Sequence, residues 1–297
     1  KPHSQFGHRN RRPKTLKSVT MTFDTIQTIP VSPALGVEIG GVDLSQSLGD
    51  DVIAEIRQAW LEYRVVFFRD QDITPEQHLA FARRFGDLVT YPMVKGLDDY
   101  PEIAPVIKLE HQTVNFGGIW HSDTTYLPQP PMGAILVARE LPPKGGDTLF
   151  ANMVMAYEVL PEAIKERLSG LIAINSSAKG HVTKSREDCQ KDMDDMPEPL
   201  SAEHPAVRTH PETELKSLYV NRGHTVGFRG MAEDESAPLL EELFEHQTGG
   251  EFTCRFQWRP GSIAFWDNRS AQHNPINDYH GHKRVMHRIT LAGDVPV

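Results

Sequence analysis

Trp120-His121-Ser122-Asp123 is the stretch on which the reading of this chain turns. His121 and Asp123 stand at i and i+2, and on an extended segment that spacing points both side chains to one side of the backbone. An imidazole and a carboxylate placed so can share one metal ion. A third ligand then has to come from elsewhere, and His273, in Asp267-Asn268-Arg269-Ser270-Ala271-Gln272-His273, is the candidate. Taken alone the triplet says little. With 14 His and 40 Asp plus Glu in the chain, His-x-Asp arises by accident, and a surface turn explains it equally well.

Two His and one carboxylate leave up to three positions open on an octahedral ion, the donor set of non-haem Fe(II) oxygenases. The same donors suit a zinc ion with bound water, as in a hydrolase, or a jelly roll that binds metal without turnover. What tilts the balance lies downstream, in Lys283-Arg284-Val285-Met286-His287-Arg288-Ile289-Thr290-Leu291. On a strand facing the same cavity, the Arg284 guanidinium can bind a carboxylate bidentately beside the metal. A co-substrate with one chelating and one distal carboxylate suits that pocket.

On these residues the chain resembles the taurine dioxygenase (TauD/TfdA) family of Fe(II)/2-oxoglutarate-dependent oxygenases. The matching motifs are Trp120-His121-Ser122-Asp123, Gly145-Gly146-Asp147-Thr148, Trp266-Asp267-Asn268-Arg269 with Gln272-His273, and Arg284 through Arg288, from about Ile29 to the C-terminus. The resemblance implies Fe(II) held by His121, Asp123 and His273, and 2-oxoglutarate and O2 as co-substrates yielding succinate and CO2. Thr148 and Arg284 are then the contacts of the distal carboxylate. Zinc hydrolysis leaves that pair without a purpose. Asp267 and Arg269 are expected to be structural, as an ion pair or a turn near the site.

Length and composition agree with an enzyme of this kind. A chain of 297 residues buries a substantial core without staples, and its two cysteines, Cys189 and Cys254, form no disulfide framework. No apolar run approaches a membrane span, and no secretory segment is present, so a cytoplasmic protein with no membrane partner is expected. The net charge is −9, yet residues 1–20 hold six Lys or Arg and no acid. That basic extension is expected to be a non-native leader ahead of a start at Met21, with a single dioxygenase domain over 21–297. The acidic body argues against a nucleic-acid substrate. A homo-oligomer, dimer or tetramer, is expected.

Periodicity predicts helices over 50–63, from Thr74-Pro75-Glu76-Gln77 to about Phe85, within 153–171 and over 234–247. Trp60 and Phe81 read as core. Strands are expected over 25–44, at Val65–Phe68, 133–138, 147–150, in a hairpin at 207–221, and in closing strands 252–258, 262–266 and 284–292. Residues 95–119 read as loop, and 176–206 as a charged surface loop or a lid. Many short strands with Gly/Pro turns and interspersed helices read as a mainly β (α+β) fold, a double-stranded β-helix or jelly roll core with flanking helices. The resemblance implies the same fold.

Substrate contacts follow from the resemblance. Arg288, an even four residues after Arg284, faces the same cavity on a regular strand, and the matching Arg of taurine enzymes binds the sulfonate. A small anionic substrate is therefore expected: a sulfonate, alkyl sulfate or aryloxyalkanoate. Tyr91 and Val94 stand where the taurine enzymes have a His and a Tyr, and Gly117 where they have an Asn. Without those partners taurine would be left under-satisfied in a buried site. Val94, Gly117, Gly118 and Tyr126 are expected to line a roomier, more apolar pocket. His224 lies in a Val-Asn-x-Gly stretch that matches the family near that cavity. His111, His181, His210, His280, His282 and His287 show no spacing that ties them to the triad.

Overall fold

In the computed structural model, residues 22–91, 94–179 and 198–297 are described. The basic extension, Cys189 and the 180–197 part of the anticipated lid lie outside them. The major sheet has eight strands. Its order is β1 (Gln27–Pro30), β2 (Val37–Gly40), β3 (Val65–Phe68), β14 (Ile263–Asp267), β6 (Gly133–Glu140), β16 (Arg284–Leu291) and β4 (Leu88–Val89), with β5 (Ile103–Lys108) also on β16. All pairings are antiparallel except that of β2 with β3. A three-stranded sheet, β13 (Thr253–Phe256), β7 (Thr148–Asn152) and β15 (Ala271–Pro275), faces it.

Strand alternation decides what each face of the major sheet meets. Val65, Phe67, Ala264, Trp266 and Met286 point inward, where they pack with Phe150, Cys254 and Phe256 of the smaller sheet. Val66, Phe68, Ile263, Phe265 and Ile289 point outward, into a second core shared with α1 (Asp50–Tyr63) and α2 (Pro75–Ala82). Helix α1 buries Ile53, Ile56, Ala59 and Trp60 at helical spacing, and Trp60 stacks on Phe265 with ring centroids 4.3 Å apart. Thr74 caps α2 through a capping box with Gln77, behind Pro75 at the first turn. That helix stops at Ala82, three residues before the expected end, and the chain passes through a tight turn before Gly86.

This is a mainly β fold with a jelly-roll core and flanking helices, its sheets not closed into a barrel. A third sheet, β12 (Thr225–Phe228), β8 (Ile172–Ser176) and β9 (Ser201–Pro205), was not foreseen. It packs with α3 (Met153–Glu158), α4 (Glu162–Leu168) and α5 (Glu233–Gln247) in a separate core, so helices flank the jelly roll in two groups. The 176–206 stretch, read as loop or lid, thus ends in a paired strand whose apolar content is too low to announce it. Residues 95–119 likewise contain β5, an outer strand that tolerates Pro105 because it pairs only with β16. β10 (Val207–Thr209) and β11 (Lys216–Leu218) make the expected hairpin.

Candidate metal and co-substrate site

His121 and His273 meet where two segments cross. Each backbone N–H donates to the other's carbonyl, at 3.1 and 2.9 Å, in an isolated antiparallel bridge. The extended segment foreseen around the His-x-Asp triplet is therefore one bridge long. The chain then turns at Thr124, whose φ is +42°, and this brings Asp123 inward. The expected convergence nevertheless results. His121 Nε2 and His273 Nε2 lie 3.6 and 3.8 Å from Asp123 Oδ1, and one donor atom from each residue fits within 4.8 Å of the others. Among the described residues no other group of three His, Cys, Asp or Glu converges this way.

The surroundings prepare these groups as ligands. His121 Nδ1 donates to Ile119 O at 2.6 Å, which leaves Nε2 with its lone pair toward Asp123 and His273. Burial, followed by the neighbouring His121 ring, holds His273 well below the usual imidazole pKa, so it is neutral. Burial opposes ionisation of Asp123, but Arg288, with His273 and His121, outweighs it and keeps the carboxyl well below its usual range. Trp266 Nε1 donates to Asp123 Oδ2 and to Asn268 Oδ1, both at 3.1 Å, and Asn268 Oδ1 also accepts from the Asp123 N–H at 3.2 Å. Two glycines crowd His121. A Cβ on Gly117 would lie 3.0 Å from His121 Cε1, and one on Gly223 would lie 2.8 Å from His121 Cβ.

One cavity joins this cluster to the far end of β16. Its lining includes His121, His273, Gly117, Thr148, Arg284 and Arg288, with aromatic and apolar walls from Phe116, Phe150, Trp258 and Trp266. Thr148 Oγ1 accepts from Trp258 Nε1 at 3.0 Å, and the Arg284 guanidinium lies 5.6 Å from the Trp258 ring. Arg284 is 5% exposed, and its Nε and one terminal nitrogen have no acceptor. A buried guanidinium with open donors beside a hydroxyl is what a carboxylate-bearing ligand requires. Two converging imidazoles, that of His273 held neutral, an ionised carboxylate and a buried guanidinium with open donors together fit a divalent iron with 2-oxoglutarate.

Arg288 shares that cavity, as its even separation from Arg284 requires, but its partner was not foreseen. Its guanidinium faces the Asp123 carboxylate, with NH1 donating to Oδ1 at 2.9 Å and NH2 2.8 Å from Oδ2. Tyr91 lies against it, ring centroid 4.8 Å from Cζ. Tyr126 packs edge-on against His224 at 4.9 Å, and His224 is 5.9 Å from His121. Val94, Gly118 and Tyr126 do not line the cavity: Val94 sits in the turn after Tyr91, and Gly118 packs on Asn115. Trp258, Asn268 and Gly223 were missed. All three left a signal: Trp258 is an aromatic two residues after Phe256 in the same alternation, Asn268 lies in the Trp266–Arg269 motif, and Gly223 closes the Val-Asn-x-Gly stretch. Asp267 and Arg269 form the expected ion pair, at 2.9 and 2.8 Å, and His210, unassigned from sequence, completes it by donating to Asp267 at 2.9 Å.

Comparison with known proteins agrees with this geometry. Residues 27–290 match the model of the family described as Taurine catabolism dioxygenase TauD, TfdA family. The chain is 35% identical to an alkylsulfatase of Acinetobacter baylyi, over 91% of this chain and 86% of that protein. It is 34% identical to the (S)-phenoxypropionate/alpha-ketoglutarate-dioxygenase of Sphingobium herbicidovorans, over 89% of this chain and 94% of the relative. A crystal structure of a putative alpha-ketoglutarate-dependent taurine dioxygenase from Burkholderia xenovorans superposes with a TM-score of 0.79 at 40% identity, covering 92% and 94% of the two chains. Sequence, fold and the converging His-Asp-His donors thus agree: the chain belongs to the taurine catabolism dioxygenase TauD, TfdA family, and is a 2-oxoglutarate-dependent non-haem iron dioxygenase that uses Fe(II), 2-oxoglutarate and O2.

Proposed function

We propose that this dioxygenase hydroxylates a small organic anion of the alkyl sulfate, sulfonate or aryloxyalkanoate type, next to the heteroatom, so that the carbon–heteroatom bond then breaks. The observation that carries the reading is the charge of the cavity. Two buried arginines, Arg284 and Arg288, face it, and among the described residues Asp123 is the one carboxylate within ion-pair distance of either. A divalent metal adds two positive charges and 2-oxoglutarate two negative ones, so positive charge remains. Buried charge of one sign calls for a partner. An anionic substrate head supplies it.

Each residue then has a task. His121, Asp123 and His273 hold Fe(II), which supplies the activation of O2 coupled to decarboxylation of 2-oxoglutarate. Arg284 and Thr148 bind the distal carboxylate and fix the co-substrate's orientation. Arg288, released in part from Asp123 once the metal shares that carboxylate, takes the substrate's head group, with Tyr91 stacked on its guanidinium. Aromatic walls exclude water. His224, with Tyr126 packed against it, stands beside His121 on the substrate's approach, and Gly117 lets the backbone pass close to His121, where a Cβ would lie 3.0 Å from Cε1. The relatives named for alkyl sulfate and phenoxypropionate chemistry support this class.

The test is succinate release with a medium-chain alkyl sulfate, an alkanesulfonate, a phenoxypropionate and taurine, using wild type and Arg288→Ala. At least one of the first three is expected to exceed taurine. Arg288→Ala should lose on the order of 2–5 kcal/mol in kcat/KM for the anion. Taurine as the best substrate would overturn the specificity, and an undiminished kcat/KM in Arg288→Ala would remove the anion contact.

A further inference from the structure

Arg284 of β16 stands directly opposite Lys108 of β5. Opposed residues of an antiparallel pair project to one face, with Cβ atoms about 5 Å apart. Val106, two residues before Lys108, lines the co-substrate cavity, so that face is the inner one. Lys108 is 3% exposed although it sits on an outer strand, and its Nζ has no acceptor. Both cations lie against one ring. Lys108 Nζ is 4.5 Å and Arg284 Cζ 5.9 Å from the centroid of Tyr279.

Two covered cations on opposed strand positions repel, and without a counter-charge they destabilise the sheet that carries them. The neighbouring acids are held by other donors. Asp147 accepts from Arg255 at 2.7 Å, and Asp278 accepts from the Gly146 N–H at 2.7 Å. Among the described residues neither Lys108 nor Arg284 has a carboxylate within ion-pair distance. The turn that carries Asp147 also closes tightly on this end of the cavity: Gly146, at φ +73°, would place a Cβ 3.3 Å from Arg284 Nε. An anion held by Arg284 here therefore meets a second positive charge from Lys108, both cations lying against the Tyr279 ring.

We propose that Lys108 is a positioning residue for the distal carboxylate of 2-oxoglutarate, acting with Arg284 from the opposed strand position, and that this pair sets the preference for a dicarboxylic over a monocarboxylic 2-oxo acid. The proposal rests on the assignment of Arg284 to that carboxylate. Its test is binding rather than turnover. Wild type, Lys108→Met, Lys108→Arg and Arg284→Ala are loaded with Fe(II) without O2 and titrated with 2-oxoglutarate and with 2-oxobutyrate, which lacks the distal carboxylate, following the visible charge-transfer band. Lys108→Met is expected to weaken 2-oxoglutarate about tenfold, as loss of a charge at roughly 10 Å in a protein medium would, and to leave 2-oxobutyrate unchanged. Lys108→Arg, which keeps the charge, should recover most of the loss. Equal weakening of both acids in Lys108→Met would reduce Lys108 to packing and overturn the proposal, as would no weakening at all. If Arg284→Ala leaves the ratio of the two affinities as in wild type, the assignment of Arg284 fails and the proposal falls with it.

Discussion

Arg284 and Arg288 show how much one residue's surroundings add to its type. Both sit on the inner face of β16, four residues apart, and both are buried. One is engaged by Asp123, while the other keeps donors without acceptors. Burial pulls the Arg284 pKa down from its ordinary value, yet an arginine so far above neutrality remains charged. No carboxylate lies within ion-pair distance of Arg284 among the described residues, and on the proposed assignment the co-substrate supplies one. Arg284→Ala should therefore raise the 2-oxoglutarate KM by the equivalent of about 2–5 kcal/mol and leave the substrate KM nearly in place. Steady-state kinetics with each varied in turn checks this. An unchanged 2-oxoglutarate KM would remove Arg284 from the role.

At the scale of elements, the site depends on two short segments that are neither helix nor strand. The 119–125 and 221–224 segments are fastened by buried amide and hydroxyl groups. Asn221 Nδ2 donates to Thr125 Oγ1 at 3.1 Å, the His224 N–H donates to Asn221 Oδ1 at 2.8 Å, and Thr225 Oγ1 donates to Asn175 Oδ1 at 2.8 Å. Fully paired polar groups of this kind set a backbone in one place. Gly223 lies inside this arrangement, with its N–H donating to Trp120 O at 3.0 Å. Gly223→Ala has to displace His121, because the new methyl would sit 2.8 Å from His121 Cβ. Weaker Mn(II) binding by about 10- to 100-fold is expected, measured by calorimetry on a protein whose circular dichroism is unchanged. Wild-type affinity would show that the segment yields without moving the ligand.

Taken as a whole, the molecule stores acid sensitivity on the side of the major sheet away from the site. His78 of α2 is fully buried, and burial, then Arg139 and His287, push its pKa down to about 3. Burial and Arg139 push His287 down to about 4. In the unfolded chain both titrate near 6.5. Between those values the unfolded state binds protons that the folded state refuses. Their contribution is constant above about pH 6.5 and is lost as pH falls through 6.5 toward 4 and 3, by about 1.4 kcal/mol per pH unit per group. Denaturant unfolding of wild type and His78→Gln between pH 6.5 and 4.5 should show a variant slope shallower by about one proton. Parallel slopes would mean that His78 is accessible to protons in the folded state.

Much of this protein was readable from local pattern. Helix α1, the buried strand Val65–Phe68 and the closing strands follow from apolar spacing that holds wherever the segment lies. The inward face of β16 follows from side-chain parity, which any strand obeys, whereas the metal cluster converges although its His-x-Asp segment is extended for only one bridge. The outer strand β5 and the third sheet did not announce themselves, because Pro105 interrupts the apolar run of β5 and the residues of β9 are mostly polar, and pairing with β16 and β8 makes them strands. The same holds for chemistry. That Arg288 faces the cavity follows from counting by twos along the chain. That it grips Asp123, that Trp258 reaches Thr148, and that Lys108 stands behind Arg284 depend on register between strands far apart in sequence. Residue type and spacing determine which groups point inward; the packing of distant segments decides which of them meet.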